Sequence, residues 1–307
     1  MISVVGSVNW DLRVRVPALP HPGETALGVD MSQGLGGKGA NQAVAASRAG
    51  APVTLIGAVG ADHFGHLART VLGQDPLNLD FLQTVAAATG VALIGVDDEG
   101  NNSILVAPGA NAQWAFDPAS LAGTALLLTQ LEFPLDTACA ALQAARSLGA
   151  RTVLNASPVP AGMAADVLAL ADVLVVNEPE AATLVPEAPG GVLGALEAAR
   201  LLRTHCSAVV ITLGRHGAVW ADQRGQGHVP SPEVQALDTT GAGDAFAGAL
   251  CAALHEGADL YTAVRFACAA GASAATRPGA ASSAPRRPEI EARLRGEALS
   301  LPLTGAP

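Results

Sequence analysis

The chain is poor in charged and aromatic side chains, and it contains a single lysine, Lys38. Charged residues make up 14% and aromatic residues 3% of its 307 residues, whereas half of the residues are hydrophobic. A typical domain has about a quarter charged residues, so this composition indicates extensive burial. The formal net charge is −10, and no basic cluster exceeds Arg286-Arg287. This balance argues against nucleic acid as a partner, because phosphate backbones require a basic face.

Other absences narrow the class of protein further. The four scattered cysteines include no Cys-x-x-Cys pair, so we expect reduced thiols in the core. No apolar run approaches the roughly 20 residues of a membrane span. The first residues lack the basic region and cleavage site of a signal peptide. These features predict a soluble, cytoplasmic protein.

Short β-branched runs alternate with Ala/Leu-rich amphipathic stretches along the chain. Near-continuously apolar strands, each followed by a helix, indicate a mostly parallel sheet that is covered on both faces. We therefore predict a doubly wound α/β fold over residues 1–307 as a single domain. The expected strands are 2–6, 53–57, 125–130, 152–155, 173–177 and 209–213.

Two regions interrupt this alternation, at about 12–34 and 91–107. Both contain alternating apolar residues, and in the second region a run of turn residues (98–102) joins two such stretches as in a hairpin. They are too short to form a domain alone. We expect them to form a small β-sheet outside the main one, as a lid or an oligomer contact.

The most informative segment is residues 238–244, Asp-Thr-Thr-Gly-Ala-Gly-Asp, which runs directly into an apolar helix. The amides of Gly241, Ala242 and Gly243 and the helix dipole converge on one point, which attracts phosphate oxygens. Asp244 at the end of this loop can take a proton from a hydroxyl beside the phosphate. An anion cradle with an adjacent base is suited to phosphoryl transfer to an alcohol. The alternative is a helix N-cap with glycines for a tight turn.

A second glycine-rich segment, residues 34–41, contains Lys38 and Asn41. It also fits the G-x-G-x-x-G pattern of dinucleotide-binding folds, with Asp62 about 20 residues further on. We discount that interpretation, because the fingerprint belongs to the first strand-to-helix turn and this segment follows an irregular region. Its glycines let the backbone approach a ligand closely, and its polar groups suit a polyhydroxylated ligand or its phosphate. A simple glycine-rich turn that caps the next helix is the alternative.

Polar residues also follow predicted strands, where ligands bind in open α/β sheets. Asn9 and Asp11 point the same way on an extended segment and can hold vicinal hydroxyls. Glu132 lies at the equivalent end of another strand. Asn177 and Glu180, at a strand-to-helix turn, can orient waters on Mg²⁺ and nucleotide phosphates. Capping and turn roles explain each of these residues nearly as well.

Residues 212–217, Thr-Leu-Gly-Arg-His-Gly, lie between two strand-like runs. Their glycines would let a nucleotide lie against the backbone, although a hairpin turn also explains them. His216 fits a surface turn residue better than a catalyst.

Taken in order, these motifs closely resemble those of the ribokinase type within the phosphofructokinase-B-type family of carbohydrate and nucleoside kinases. The resemblance runs over nearly the whole length of the chain. Its most specific blocks are 36–43 (Gly-Gly-Lys-Gly-Ala-Asn-Gln-Ala) and 238–244, and the segments 22–25 and 109–111 add to it.

The resemblance implies a central sheet flanked by helices, a small β-sheet lid, and a homodimer in which the lids clasp one another. It implies sugar binding by Asn9, Asp11, Gly37, Lys38, Gly39, Asn41 and Glu132, with Asp244 as the catalytic base. It implies nucleotide contacts by Asn177, Thr212, Leu213, Gly214, Arg215, His216, Gly217 and Gly243. It implies an activating potassium ion at Asp238, Thr240, Ala274, Arg277, Gly279 and Ser283, several of them through backbone carbonyls.

The implied reaction is the transfer of a phosphoryl group from ATP to the 5-hydroxyl of D-ribose, with Asn177 and Glu180 positioning Mg²⁺. Two alternatives stay open: a related kinase for fructose, a deoxy-sugar acid or a nucleoside, and a non-catalytic sugar-binding protein on the same scaffold. Cys268 falls near the expected adenine site, but it is equally a packing residue. Trp10 and Pro278 depart from the family pattern, which usually has a small residue and a lysine there.

Overall fold

The structure is a computed structural model that describes residues 1–296. Within this range the strands are β1 Ile2–Val5, β2 Asn9–Arg15, β3 Asp30–Gly36, β4 Val53–Gly60, β5 Leu77–Asn78, β6 Leu82–Val85, β7 Gly90–Val96, β8 Asn102–Ala107, β9 Leu126–Thr129, β10 Arg151–Asn155, β11 Val173–Asn177, β12 Ala208–Thr212, β13 Ala218–Asp222 and β14 Gly225–Val229. The α-helices are α1 Lys38–Arg48, α2 His63–Leu72, α3 Leu135–Ser147, α4 Ala165–Leu168, α5 Glu178–Leu184, α6 Gly191–Leu202, α7 Ala242–His255, α8 Leu260–Ala274 and α9 Arg287–Leu294.

The main sheet confirms the predicted doubly wound fold. Its strands lie in the order β14-β13-β12-β11-β10-β9-β1-β4-β5, with β6 paired to β4. All pairs are parallel except those that β13 and β14 make at one edge. The strand order reverses at β1, which pairs with β9 on one side and β4 on the other. Ligands bind outside the carboxyl ends of the strands at such a point.

The apolar strands explain why helices cover both faces of the sheet. Successive side chains of a strand point to opposite faces. Val4 therefore packs in the core layer that contains α1, α7 and α8, whereas Val5 packs in the layer that contains α3 and α6. Both valines are fully buried. All six strands expected from the sequence are present, and all four cysteines are free thiols.

A separate four-stranded sheet has the order β3-β2-β7-β8 and coincides with the two regions predicted to form the lid. This sheet leaves large apolar side chains exposed to solvent: Met31, Leu93 and Leu105 on one face, and Ile104 and Val106 on the other. We call this element the small sheet. The assignment of residues 1–307 to one domain stays a prediction, because residues 297–307 lie outside the described range.

No α-helix within residues 1–296 combines the length and the hydropathy needed to cross a membrane.

Arg48, at the end of α1, holds the chain segment that follows α8. Its guanidinium pairs with Asp75 through two hydrogen bonds of 2.9 Å and also donates to the carbonyl oxygens of Ala281, Ser282 and Ala284. The Asp75 side chain is only 2% exposed, and Arg286 lies 3.8 Å from it. A buried carboxylate without its partner is costly, so this arginine fixes the position of the segment.

Replacing Arg48 should therefore destabilise the fold. We expect Arg48→Met to lower the free energy of unfolding by about 3 kcal/mol, the lower end of the range for breaking a buried pair, because Arg286 remains nearby. Urea unfolding followed by circular dichroism measures this change. As a matched control, Arg200→Met removes an exposed pair with Glu197 and should leave the midpoint nearly unchanged. Equal midpoints for the two variants would contradict the role given to Arg48.

Candidate active site

Asp244 lies in the first turn of α7, at the carboxyl end of the main sheet. Gly241 caps this helix in the left-handed conformation (φ 74°), which favours glycine. Ala242 N donates to Thr239 O in the preceding loop at 3.2 Å. The other backbone amides of the first turn have no partners within the helix, so they and the helix dipole form a positive end. The Asp244 residue is only 7% exposed. The predicted base therefore sits beside the predicted anion cradle.

Two amide side chains of α1 orient the Asp244 carboxylate. Asn41 Nδ2 donates to Oδ2 and Gln42 Nε2 donates to Oδ1, both at 2.9 Å. The same Gln42 nitrogen donates to Asn155 Oδ1 at 2.8 Å, and Gln130 Nε2 donates to Gln42 Oε1 at 2.7 Å. These residues form a chain of buried hydrogen bonds that ends at the carboxylate.

Sequence reasoning missed Gln42, Asn155 and Gln130 as members of the site. A signal for two of them was present: Gln130 follows the apolar strand β9, and Asn155 is the last residue of the apolar strand β10. A buried polar residue at the end of an apolar strand requires a hydrogen-bonding partner. Gln42 lies within a motif that was singled out for other residues.

The small sheet brings Asn9 and Asp11 toward the same region. Asn9 is 3% exposed, and its Oδ1 accepts a 2.7 Å hydrogen bond from Asn111 Nδ2. Asn111 also bonds both backbone groups of Val8, so it fixes the start of β2. Trp10 alternates with Asn9 and Asp11 along β2, so it points the other way, and it stacks on Phe64 at 6.3 Å between ring centroids.

Glu132 links the start of α1 to the first strand. Its Oε2 accepts from Ser7 Oγ at 2.7 Å and from the Lys38 backbone nitrogen at 2.9 Å. The glycine before Lys38 makes this contact possible. Gly37 has φ 86°, and a Cβ there would lie 2.7 Å from Asn9 N and 2.8 Å from Ser7 O. Only glycine therefore lets α1 begin this close to the strand.

The charged groups between the small sheet and α1 shift one another's pKa values. Burial, and after it the nearby carboxylates of Glu132 and Asp244, raise the pKa of Asp11 from its usual 3.8 to about 6 against the opposing effect of Arg13. Burial lowers the pKa of Lys38, but Asp244, Glu132 and Glu180 outweigh this effect, so its pKa is raised overall. Lys38 therefore stays charged among the carboxylates.

A cavity of about 230 Å³ lies beside Asp244 and is lined by some of the predicted phosphate and nucleotide residues. It is lined by Lys38, Asn155, Ser157, Val175, Val176, Asn177, Glu180, Thr212, Gly241, Gly243 and Asp244. At Gly243 a Cβ would meet no protein atom within 4 Å, so the backbone here faces open space. The cavity is therefore bounded by a lysine, the helix amides and three strand ends.

Asn177 and Glu180 form a reciprocal capping box at the start of α5. Glu180 N donates to Asn177 Oδ1 and Asn177 N donates to Glu180 Oε2, both at 2.8 Å. Asn177 and Glu180 therefore both cap α5 and line the cavity. Within residues 1–296, Glu180 Oε1 makes no hydrogen bond, so one carboxylate oxygen remains for a solvated cation.

The structure does not bring every predicted nucleotide residue to this cavity. Thr212 lines it, whereas Leu213 is buried in the core and the turn Gly214–His216 lies further along the surface. Cys268 is 5% exposed and packs between α8 and β14, and burial raises its pKa to about 12. This placement fits the packing role rather than an adenine contact.

The predicted cation ligands lie on two adjacent segments, 238–240 and 274–283. Gly279 N donates to Asp238 Oδ2 at 3.0 Å, and Thr240 N donates to Asp238 Oδ1 at 2.9 Å. Ser283 Oγ donates to the carbonyl oxygen of Ala280. Arg13, which sequence analysis did not single out, also donates to Asp238 Oδ2.

Comparison with known proteins shows the family and the fold of this chain independently of the site geometry. The profile described as pfkB family carbohydrate kinase matches residues 1–287. Ribokinase of Haemophilus influenzae is 38% identical over 297 residues, which covers 94% of this chain and 96% of that protein. The structure of Thermotoga maritima ribokinase superposes with a TM-score of 0.86 at 34% identity, covering 96% and 99% of the two chains. Arabidopsis thaliana ribokinase, complexed with ribose and ATP, gives 0.87 at 28% identity and 96% and 98% coverage.

The titration of Asp11 tests the geometry of this site directly. We expect its carboxyl group to titrate near pH 6 in ¹³C NMR, with Asp11→Asn identifying the resonance. Glu132→Gln should lower this pKa, because it removes a repelling charge, but burial should hold it above the usual value. An Asp11 carboxyl group that titrates at its usual 3.8 in the wild-type protein would contradict the crowding of acids described here.

Proposed function

The chain belongs to the pfkB family of carbohydrate kinases, and we propose that it transfers the γ-phosphoryl group of ATP to the 5-hydroxyl of D-ribose. The observation that carries this proposal is the Asp244 carboxylate, which two amides orient beside an open helix N-terminus. Phosphoryl transfer to an alcohol needs a base and an anion cradle at one point.

Asp244 is proposed as the general base. One carboxylate oxygen accepts the proton of the 5-hydroxyl while the hydroxyl oxygen attacks the γ-phosphorus, the bond from this phosphorus to the β-phosphate oxygen breaks, and ADP leaves. The donors Asn41 and Gln42 hold both oxygens in place, so the carboxylate does not reorient before the transfer. Gln42 acts as a positioning residue, because it contacts the base and not the acceptor.

The amides of 241–243 and Lys38 are proposed to stabilise the transferring group. Its equatorial oxygens carry negative charge, and charge stabilisation is usually the largest catalytic term. Lys38 lines the same cavity as the helix terminus and keeps its positive charge. The cavity thus places fixed positive groups where the phosphoryl group passes.

The acceptor is proposed to bind between the small sheet and α1. Asn9, Asp11 and Glu132 supply polar groups, and Asn41 supplies one more. Asn41 Oδ1 is buried and has no hydrogen-bond partner within residues 1–296. A buried acceptor without a partner is costly, so a substrate hydroxyl is a suitable donor for it. Asp11 accepts hydroxyls best as a carboxylate, so acceptor binding should weaken as the pH falls through about 6.

ATP is proposed to lie along 212–217, with its phosphates toward Gly243. Magnesium bound with it would neutralise charge on the phosphate oxygens. Glu180 and Asn177 would hold this magnesium ion through water rather than directly, since the capping box leaves Glu180 Oε1 for an ordered water. The chain's own contribution here is to hold these two side chains rigidly at the end of β11.

Potassium, which the family resemblance implies, does not fit beside Asp238 as the residues stand. Asp238 Oδ2 already accepts from Gly279 N and from Arg13 Nη1. A potassium ion at this oxygen would have to displace the arginine. The proposed reaction therefore contains no step through potassium.

A homodimer through the small sheet is proposed from its exposed apolar face. Met31, Leu93, Ile104, Leu105 and Val106 all lie on this one sheet and are between 49% and 68% exposed. By strand register Met31, Leu93 and Leu105 share one face, and an exposed apolar patch of this kind marks an interaction surface. Closure of the same sheet over the acceptor would exclude water, which competes as a phosphoryl acceptor.

We also propose a cytoplasmic location for the protein, where ATP is available.

The first test is ADP release with ATP and magnesium at about pH 8, where Asp11 is ionised. We expect strong turnover with D-ribose and much lower kcat/KM with 2-deoxyribose, fructose and adenosine. A higher kcat/KM with fructose or adenosine would replace ribose as the acceptor while keeping the reaction. Absence of turnover with every acceptor would favour a non-catalytic sugar-binding protein.

The second test removes the base. Asp244→Asn should lower kcat by roughly 10²–10⁴-fold or more, the usual contribution of a general base, while calorimetry shows ribose affinity largely unchanged. Asp259→Asn is the matched control: Asp259 caps α8 through Thr262 N, and asparagine caps equally well. Near-normal turnover by Asp244→Asn would remove the assignment.

A further inference from the structure

Arg13 joins the small sheet to the loop that forms the anion cradle. Its Nη1 lies 2.9 Å from Asp238 Oδ2 and its Nη2 lies 2.8 Å from Thr240 Oγ1. These partners stand 225 and 227 positions away in the chain. One guanidinium therefore bridges a strand of the small sheet and the segment that leads into α7.

Asp238 is the centre of this contact. It accepts from Thr240 N within its own loop, from Gly279 N in the segment after α8, and from Arg13 in β2. Its side chain is 15% exposed, and that of Arg13 is 29% exposed. Burial raises the pKa of Asp238, but the hydrogen bonds from Thr240, Gly279 and Arg13 outweigh it and lower the pKa to about 2. A largely buried carboxylate needs a compensating charge or hydrogen-bond donors.

That charge is already in place. A carboxylate oxygen has about two lone-pair directions, and Asp238 Oδ2 receives two donors. A guanidinium is always charged and offers several donors in a fixed plane, so it can hold Asp238 and Thr240 together. The Oδ2 atom of Asp238 is thus occupied by donors of the protein, one of which is a cationic side chain.

We propose that Arg13 serves as the built-in cation of this loop, so that the loop preceding α7 is ordered without potassium. The expected effect on kcat rests on the proposed kinase function, whereas the ordering of the loop by Arg13 does not. Residues two apart on a strand share a face, so Asn9, Asp11 and Arg13 point the same way from β2. The strand that binds the acceptor is therefore the strand that orders the anion cradle.

An ion can reach this contact from a second cavity, which makes the proposal testable. This cavity has a volume of about 430 Å³ and is lined by Asp11, Arg13, Thr240 and residues 278–282, among others. If Arg13 is shortened to an uncharged side chain, Asp238 loses its partner and the freed position opens to this cavity. A potassium ion can then take over the lost role.

The decisive experiment is thermal unfolding of the ligand-free protein in potassium chloride and in tetramethylammonium chloride at equal ionic strength. We expect the wild-type Tm to agree in the two salts within about 1 °C. Arg13→Met should have a lower Tm in tetramethylammonium and regain about 5 °C or more in potassium, because binding to the folded state alone stabilises it. Arg13→Lys, which keeps the charge, should respond to potassium less than Arg13→Met.

Arg15→Met is the matched control, since Arg15 lies on the same strand but is exposed. It should behave as the wild type in both salts. Arg13→Gln keeps hydrogen-bond donors without the charge, and it replaces Arg13→Met if that variant does not fold in either salt. In activity assays the ratio of kcat in potassium to kcat in tetramethylammonium should be near 1 for the wild type and at least tenfold higher for the Arg13 variant.

Two results would overturn the proposal. One is a wild-type protein that potassium stabilises as strongly as it stabilises the Arg13 variant. The other is an Arg13 variant that loses stability without gaining any response to potassium, since the arginine would then be an ordinary ion pair. The melting experiment needs no substrate, so a failure to phosphorylate ribose is seen separately and leaves this inference standing or falling on its own.

Discussion

The active site depends on keeping one carboxylate in a fixed orientation in a place with little water. Asp244 is almost completely buried, and a buried charge must be paired or hydrogen-bonded. Here the compensation comes from the N-terminus of its own helix and from the amides of Asn41 and Gln42. Neutral donors orient the carboxylate without adding a permanent counter-charge, which suits the base proposed here. This requirement explains why an apolar helix, α1, carries two adjacent amide side chains that are fully or nearly buried.

The parallel sheet supplies the rest of the site from strand ends. Gln130, Asn155 and Asn177 lie at the carboxyl ends of three neighbouring strands, β9, β10 and β11. In a parallel sheet these ends meet at one edge, so residues far apart in the chain form one wall. The apolar strands behind them hold each polar residue rigidly. A loop-built wall would be less rigid, and catalytic groups tolerate little displacement.

The small sheet and the anion loop are bound to one another by charge. β2 carries Asn9, Asp11 and Arg13 on one face, and these three reach Asn111, the acidic cluster and Asp238 respectively. Acceptor binding and loop order therefore share one strand. Movement of that strand would alter both together, which gives a physical link between closure over the acceptor and the geometry of the phosphoryl site. The exposed side chains of Met31, Leu93 and Leu105 lie on the opposite face of the same sheet.

The sequence by itself determined the doubly wound fold, the small sheet and the polar groups at strand ends, because periodicity and the strand-end rule are local properties. It also singled out the loop before α7 as a predicted anion site, because a glycine-rich turn followed by an apolar helix is recognisable from residues 238–244 alone. Only the tertiary structure decided that Gln42 joins Asp244 to Asn155, that Asn111 holds Asn9, and that Cys268 is buried. It also placed Arg13, rather than a vacant ligand set, at Asp238. Each of these hydrogen bonds joins residues that are more than a hundred positions apart in the chain. Hydrophobic periodicity determines which face of an element is buried, but it does not determine the partner of a polar atom.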